Sequence, residues 1–399
     1  MNPQKIIISA LLVAAVLGGI IYLNSQKVER GDKTGAVTVA PRTSLGSNDA
    51  SSSVATASTT KEETAETEYL SPKEKAKKYE LAKEITTPDG FINTDGKPVT
   101  IGEFIGKKVV LLDIWTYSCI NCQRTTPYLN AWYEKYKDKG FVIIGLHTPE
   151  FEFEKVYQNV LEATKRMGIK FPVVLDNDFS TWSAYQNRFW PRKYLIDIDG
   201  YIVYDHIGEG AYEYTEQKIQ EALKERAMVL GNQVVINEEI TFLSKNDVQA
   251  ASPETYFGAK RNEYLANGNP GSAGVQSFVE PATFQRNKLY LSGSWDIMGE
   301  YAEASGIGTN KIIYKYLAKS VYLVAGSSFK SIEAEVTRDG KPVDESVKGE
   351  DVFYKNGRSY IKVQENRLYK VVEDISAGEH LLQFIISEPG LQAFAFTFG

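Results

Sequence analysis

The sequence contains two cysteines, Cys119 and Cys122, which are separated by two residues. They follow an apolar run that begins at Val109, and a helical pattern begins directly after them. A strand that ends in C-x-x-C and opens a helix places the first sulfur at a helix N-terminus, where free backbone N–H groups and the helix dipole stabilise a thiolate. The pair is therefore predicted to be a redox dithiol, with Cys119 as the attacking nucleophile and Cys122 as the resolving thiol.

Other uses of these two cysteines have less support. Two cysteines can form neither a four-thiolate zinc site nor a framework of structural disulfides. The three histidines, His147, His206 and His380, lack the spacing of a cysteine–histidine zinc site. A copper site made of both cysteines and one histidine has no positive signal. We therefore expect neither a metal nor a cofactor, and a purely structural pair of buried cysteines is the alternative.

One acidic residue precedes the dithiol. Asp113 lies six residues before Cys119, within the apolar run from Val109 to Trp115. Burial in such a run would raise the pKa of this carboxyl group, so that it could take or give the proton of Cys122 through water. A charged residue at the edge of a strand is the alternative interpretation.

The elements around the dithiol alternate between strand and helix over residues 86–228, which indicates an α/β domain. Apolar runs predict the strands, and helical spacing of apolar residues predicts the helices. The predicted strands are 109–115, 141–146, 171–175, 194–198 and 201–204, and the predicted helices are 123–137 with an interruption at Pro127, 153–167 and 215–227.

Beyond residue 250 the hydrophobic pattern changes from helical to alternating, with turn signals between short apolar segments. This pattern is typical of a β-sandwich with its own core. Phe394, Phe396 and Phe398 alternate, so we expect them on one face of a strand and in that core. The predicted strands are 288–291, 311–316, 321–324, 332–337, 360–363, 367–372, 380–386 and 391–398.

Several motifs resemble one known family. TYSCINC at residues 116–122, GLHTPEF at 145–151 and WPRKYLID at 190–197 resemble the thioredoxin-like domain of DipZ proteins, relatives of the TlpA and ResA thiol-disulfide oxidoreductases. SPETYFG at 252–258, LSGSW at 291–295 and AFTFG at 395–399 resemble the DipZ C-terminal region, which has a carbohydrate-binding-module-like fold. The resemblance implies a thioredoxin-like redox domain at 69–228, a connector at 229–251 and a jelly-roll-like β-sandwich at 252–399.

The resemblance also assigns substrate-binding residues. Pro191 matches the cis-proline that faces C-x-x-C in this fold, and a cis bond would expose the backbone of Trp190 to an extended substrate peptide. Arg192, Tyr117 and Trp190 would then border the dithiol. DipZ proteins typically carry a multi-helix membrane domain, whereas this sequence has a single apolar span. Electrons are therefore expected from a separate membrane protein, unless the domain works in the oxidising direction.

The first 68 residues predict an anchor and a spacer. Residues 6–23 are uncharged and apolar apart from Ser9, a stretch just long enough for a transmembrane helix, and we assign 1–30 as a membrane anchor. A cleaved signal peptide is the alternative. Residues 31–68 are rich in Ser, Thr and Ala and predict a disordered linker. The net charge of −6 gives no sign of a nucleic-acid partner.

These observations predict a membrane-anchored, extracytoplasmic thiol-disulfide oxidoreductase that acts on the thiols and disulfides of exported proteins. One rival is a peroxiredoxin-like thiol peroxidase, since Thr116 and Cys119 fit T-x-x-C, although Leu112 stands where a proline is expected. The other rival is a cell-surface protein whose β-sandwich binds a glycan or a protein, with an incidental dithiol. The aromatic residues that could stack on sugar rings are Trp295, Tyr290 and Tyr301.

Overall fold

The computed structural model describes residues 69–232, 234–236, 238–243, 250–329 and 331–399. The predicted anchor at 1–30 and the predicted linker at 31–68 lie outside the described residues. Among the residues that the structure describes, no helix is long and apolar enough to cross a membrane. The described residues from Tyr69 onward all belong to one compact unit.

The first part of this unit is an α/β fold. Short 3₁₀ helices at Gly102–Phe104, Lys137–Lys139 and Glu152–Lys155 complete it. In chain order its main elements are α1 (Pro72–Lys78), β1 (Gly90–Ile92), β2 (Val109–Trp115), α2 (Ile120–Tyr136), β3 (Phe141–His147), α3 (Tyr157–Arg166), β4 (Val173–Leu175), α4 (Ser180–Ala184), β5 (Arg192–Ile196), β6 (Ile202–Ile207) and α5 (Tyr212–Val229).

The six strands form one mixed sheet in the order β1-β4-β3-β2-β5-β6. Strands β2, β3 and β4 are parallel, whereas β5 and β6 run antiparallel to their neighbours. Every residue of β2 and of β3 is buried, as expected for central strands covered on both faces. The central strand β2 leads directly into the dithiol.

All three predicted helices differ in their bounds from the observed ones, and the last, predicted at 215–227, is α5 (Tyr212–Val229). Helix α2 begins at Ile120, three residues earlier than predicted, because Cys119 is its N-cap, and it continues through Pro127. A proline removes one backbone donor, but the buried Trp132 and Tyr136 anchor the remaining turns on the core. The predicted helix 153–167 is divided into the 3₁₀ turn Glu152–Lys155 and α3.

The second part of the unit contains only strands. They are β7 (Thr255–Tyr256), β8 (Gly274–Phe278), β9 (Leu289–Ile297), β10 (Ala302–Ala304), β11 (Asn310–Ser327), β12 (Ile332–Arg338), β13 (Lys341–Pro342), β14 (Val352–Lys355), β15 (Arg358–Val363), β16 (Arg367–Ile386) and β17 (Leu391–Phe398). Hydrogen bonds join these strands in one continuous network around a common core, instead of in two separate sheets. Strands β11 and β16 each combine two segments that the sequence predicted as separate strands. Register shifts at Ala318/Ser320 and Val321/Tyr322 let the two long strands remain paired through the irregularity.

The three phenylalanines of β17 do not share one face. Phe396 and Phe398 lie in the core of the all-β region, as predicted, but Phe394 packs into the core of the α/β part. The register explains the difference: Val324 pairs with Ala395 and Ala325 pairs with Ala393, so Phe394 is the extra residue of a β-bulge. This bulge supplies a large apolar side chain to the contact between the two parts.

The contact between the two parts is apolar. The ring of Phe394 lies 4.7 Å from that of Phe153 and 5.2 Å from that of Phe151, measured between centroids. Tyr322 and Leu368 of the all-β region belong to the same buried cluster as Cys122 and the core of the sheet. The two parts therefore share one hydrophobic core in addition to the core that each has of its own.

Candidate active site

The two sulfur atoms have different environments. Cys119 is the N-cap of α2, with an extended backbone, and its side chain is partly exposed. Cys122 lies in the first turn of the helix and is buried. Both residues are free thiols in this structure. The accessible sulfur therefore sits where unpaired helix N–H groups favour a thiolate, and the second sulfur lies behind it.

Burial strongly affects the thiol of Cys122. Desolvation raises its pKa well above the ordinary value of 9.0, and the hydrogen bond with Cys119 adds to this effect. The negative charge of Asp113 acts in the same direction. A base must therefore remove the proton of Cys122 before this sulfur can act as a nucleophile.

Asp113 lies on β2, whose residues are all buried, and its own side chain is buried as well. Desolvation raises the pKa of this carboxyl group to about 6, although the nearby Lys193 lowers it. The Oδ1 atom of Asp113 has no hydrogen-bond partner among the described residues. A carboxyl group in this state can both accept and release a proton near neutral pH.

Lys193 is a site residue that the sequence analysis missed. It pairs with Asp113 in the register of β2 and β5, and it is fully buried. Its ammonium group donates a hydrogen bond of 3.2 Å to the carbonyl of Gly208. Burial lowers its pKa, while the charges of Asp113 and Cys122 oppose that shift. In the sequence Lys193 follows another charged residue, Arg192, so it lacks the isolated-charge signal that Asp113 has.

The peptide bond between Trp190 and Pro191 is cis, which confirms the expected isomer. The Sγ atom of Cys119 lies 4.0 Å from the carbonyl oxygen of Trp190. The indole N–H of Trp190 donates to the carbonyl of Thr148 at 2.9 Å, and its ring packs on Trp182 at 4.3 Å between centroids. The backbone of Trp190 is thus fixed beside the accessible sulfur.

Arg192 does not border the dithiol as the resemblance implied. Because side chains alternate along β5, Arg192 and Lys193 point to opposite faces of the sheet, and Lys193 shares the face of Asp113. Arg192 instead forms an ion pair of 2.7 Å with Asp205 and lies over the ring of Tyr194. It contributes to an open cavity of about 530 Å³ on the other face.

Tyr117 also differs from expectation. Only 1% of this residue is exposed, and its hydroxyl donates to the carbonyl of Asn366 in the all-β region at 3.0 Å. Burial raises the pKa of the phenol well above its ordinary value. Tyr117 therefore joins the two parts of the protein and does not line an open substrate surface.

The comparisons with known proteins agree with this arrangement. A family model described as Redoxin matches residues 77–223, and one described as Thioredoxin like C-terminal domain matches residues 252–399. Protein DipZ of Mycobacterium tuberculosis is 35% identical over 324 residues, which cover 79% of this chain and 43% of DipZ. The chain is a DipZ-like member of the thioredoxin family. The predicted thioredoxin-like fold and the predicted all-β C-terminal region are confirmed.

Other relatives share the redox part of this DipZ-like chain. Thiol-disulfide oxidoreductase ResA of Bacillus cereus is 34% identical over 152 residues, which are 38% of the chain and 80% of ResA. A solved thiol:disulfide interchange protein from a Bacteroides species is 28% identical, covers 35% of the chain and 89% of its own length, and has a TM-score of 0.29. The enzyme class that the DipZ and ResA relatives support is thiol-disulfide oxidoreductase. The chain spans less than half the length of the DipZ proteins that it matches.

Two polar residues at and after the end of β3, His147 and Glu150, have structural roles. His147 is fully buried between the rings of Trp115 and Tyr117, and burial lowers its pKa to about 3, so the imidazole is neutral. Glu150 pairs with Arg261 of the all-β region at 2.7 Å. Neither side chain is placed as a proton carrier for the dithiol.

One cluster of carboxylates among the described residues has the spacing of a metal site: Asp197, Asp199 and Glu225. The ammonium group of Lys75 lies within it, at 2.7 Å from Asp197, 2.7 Å from Asp199 and 2.5 Å from Glu225. The lysine therefore already provides the positive charge that this cluster needs, and it fixes α1 to the α/β fold.

Of the three aromatic residues considered for a glycan site, two lie in the protein core and the third is partly buried against it. Trp295 is fully buried, with its indole N–H donating to the carbonyl of Ser292, and Tyr290 is also buried. Tyr301 packs on Phe394 at the contact between the two parts. These three rings do not form an exposed platform for a sugar.

Proposed function

We propose that this chain catalyses thiol-disulfide exchange through Cys119 and Cys122. One observation carries the proposal: the accessible Cys119 is the N-cap residue of a helix, whereas the buried Cys122 feels the charge of Asp113, whose pKa lies near neutrality. Because of this asymmetry, Cys119 attacks the substrate disulfide and Cys122 resolves the mixed disulfide. This exchange matches the chemistry named for the ResA relative.

The reaction begins with the thiolate of Cys119. It attacks one sulfur of a substrate disulfide, forms a new S–S bond with that sulfur and releases the other sulfur as a thiolate. Cys122 then loses its proton and attacks Cys119, which releases the second substrate thiolate. Two electrons pass from the dithiol to the substrate, and a Cys119–Cys122 disulfide remains. The reverse sequence oxidises a substrate dithiol.

Asp113 is proposed as the group that takes the proton of Cys122, through water. Its buried carboxyl group is partly ionised near neutral pH and acts electrostatically on the Cys122 thiol. Lys193 is proposed to keep the ionised form of Asp113 populated near neutral pH, because its positive charge opposes the effect of burial on the pKa of Asp113. The pair therefore sets the pH range in which resolution is fast.

Trp190 and Pro191 are proposed to bind the substrate backbone. The carbonyl of Trp190 is fixed at 4.0 Å from the Sγ of Cys119, so an extended peptide that forms the mixed disulfide would lie along it. Residues 6–23 support a membrane anchor, with the catalytic part outside the cytoplasm. The substrates would then be exported proteins, and a separate membrane protein would supply electrons.

The proposal is tested with the full chain, the Cys119→Ser variant and the Cys122→Ser variant. Loss of insulin reduction in the first variant and accumulation of a mixed disulfide in the second would support the assigned roles. Turnover of hydrogen peroxide without disulfide exchange would favour the peroxidase rival instead. The reduction potential of the dithiol then decides the direction, because a value near that of thioredoxin indicates a reductant and one near that of DsbA an oxidant.

A further inference from the structure

A second buried acid lies beside the dithiol and has no part in the mechanism above. Glu154, on the 3₁₀ turn Glu152–Lys155, is fully buried. Its Oε1 atom accepts a hydrogen bond of 3.1 Å from the backbone N–H of Ser118 and one of 2.7 Å from the Ser118 hydroxyl. Ser118 is the residue directly before Cys119. The carboxyl group thus fixes the backbone from which the nucleophile extends.

The other oxygen of Glu154 binds its own loop. Oε2 accepts the backbone N–H groups of Glu150 at 2.7 Å and of Phe151 at 3.0 Å. Four donors therefore converge on this one buried side chain, two from the segment before Cys119 and two from the loop after β3. A side chain with only apolar atoms would leave these donors buried without partners, which is costly.

The outer side of the same loop is attached to the all-β region. Arg261 and Tyr256 both bind Oε1 of Glu150, at 2.7 Å and 2.8 Å. The backbone N–H of Glu152 donates to the carboxylate of Glu300 at 2.9 Å. Together with the packing of Phe394 on Phe151 and Phe153, these contacts hold the loop in one place.

We propose that Glu154 is a positioning residue that connects the fixed loop after β3 to the segment that carries the nucleophile, Cys119. Through its hydrogen bonds to Ser118, the residue before the N-cap of α2, it holds the backbone of Cys119 in place at the helix N-terminus. The all-β region would then hold the catalytic thiol in place without touching it. The inference rests on the proposed function, because it assigns Cys119 as the nucleophile.

The test measures Cys119 alone. In the full chain carrying Cys122→Ser, the rate of alkylation of the remaining thiol by iodoacetamide is followed from pH 5 to pH 10. Glu154→Ala should lower the rate at pH 7 about tenfold and move the midpoint of the pH profile upward, since Ser118 loses its acceptor and Cys119 is then no longer held at the helix N-terminus. Glu154→Gln should recover part of the rate, because its amide oxygen can still accept from Ser118. Glu152→Ala, which removes an exposed carboxylate of the same turn, is the control and should change nothing.

Ser118→Ala keeps the test decisive if Glu154→Ala does not fold, as judged by circular dichroism. It removes only the hydroxyl bond to Glu154 and should move the profile in the same direction by a smaller amount. A folded Glu154→Ala protein with the unaltered pH profile would overturn the inference, as would an unaltered profile in Ser118→Ala when Glu154→Ala is unfolded. The proposed function is tested separately, with the protein that has both cysteines and a disulfide substrate. If this protein does not exchange disulfides, the proposed function is wrong, whereas the alkylation profiles still decide the role of Glu154.

Discussion

Asp113 and Lys193 lie opposite each other on the adjacent antiparallel strands β2 and β5, and both are buried in the core that also contains Cys122. Burial raises the pKa of the carboxyl group to about 6 and lowers that of the ammonium group. Each group therefore has a reduced preference for its charged form. The raised pKa makes Asp113 a stronger base than an ordinary carboxylate, which suits removal of the proton from Cys122.

The raised pKa of Asp113 makes stability depend on pH. A carboxyl group whose pKa is raised on folding contributes most when it is protonated, below its ordinary value of 3.8, and this contribution is lost as the pH rises through about 6. The interval between 3.8 and about 6 corresponds to about 3 kcal/mol. We therefore expect Asp113→Asn, made in the Lys193→Met background, to stabilise the protein more at pH 8 than at pH 4.5 by at least about 2 kcal/mol, because the unfolded carboxyl group is already mostly ionised at pH 4.5.

The Lys193→Met background is needed because Asp113→Asn alone would leave a buried ammonium group without its countercharge. Urea unfolding of the reduced protein at the two pH values provides the measurement. If the two variants differ by the same amount at pH 4.5 and pH 8, Asp113 has no raised pKa in the folded state.

A second prediction concerns the rate of resolution. Asp113→Asn should slow the attack of Cys122 on the mixed disulfide by about 100-fold at pH 7, because the group that takes the thiol proton is removed. The rate should also lose its inflection near pH 6. Rapid-quench trapping of the mixed disulfide with a small disulfide substrate measures this step. Asp205→Asn, which removes an exposed carboxylate of β6, is the control, and equal slowing in both variants would refute the role of Asp113.

Local patterns were sufficient to predict part of the site. The strand before Cys119 and the helix after Cys122 follow from hydrophobic periodicity, and a charged residue in an apolar run singles out Asp113. Lys193 lacks this signal because it stands beside Arg192, and only the alternation along β5 separates the two residues. Lys193 and Arg192 could therefore have been assigned to opposite faces of the sheet from the sequence.

The rest of the site depends on contacts between residues far apart in the chain. Tyr117 is buried because the all-β region covers it, and Glu154 approaches Ser118 through the path of the loop after β3. The bulge at Phe394 interrupts an alternation that otherwise predicts a common face. No local pattern contains this information, since each case depends on tertiary packing.

The shared core gives a third prediction. Phe394→Ala should lower the free energy of unfolding by about 3 to 5 kcal/mol, since it leaves a cavity between the two parts. It should also slow disulfide exchange, because Phe151 and Phe153 lose their support. Urea unfolding and insulin reduction provide the measurements. Phe353→Ala, a half-buried residue of β14 that packs on Tyr360, is the control and should leave exchange unchanged. If Phe394→Ala changes neither quantity, the two parts are energetically independent.

The last prediction concerns the N-terminal segment. The apolar residues 6–23 should keep the full chain in the membrane fraction through washes with high salt and alkali, and a membrane-impermeant thiol reagent should label Cys119 in intact cells or spheroplasts. Removal of residues 1–24 should give a soluble enzyme with unchanged exchange activity, because every proposed catalytic residue lies at Asp113 or later. A mature form that begins near Asn24 or Ser25 would show cleavage of a signal peptide instead. If the truncated protein folds but fails to reduce a small disulfide in detergent-free buffer, the segment contributes to catalysis and is more than a tether.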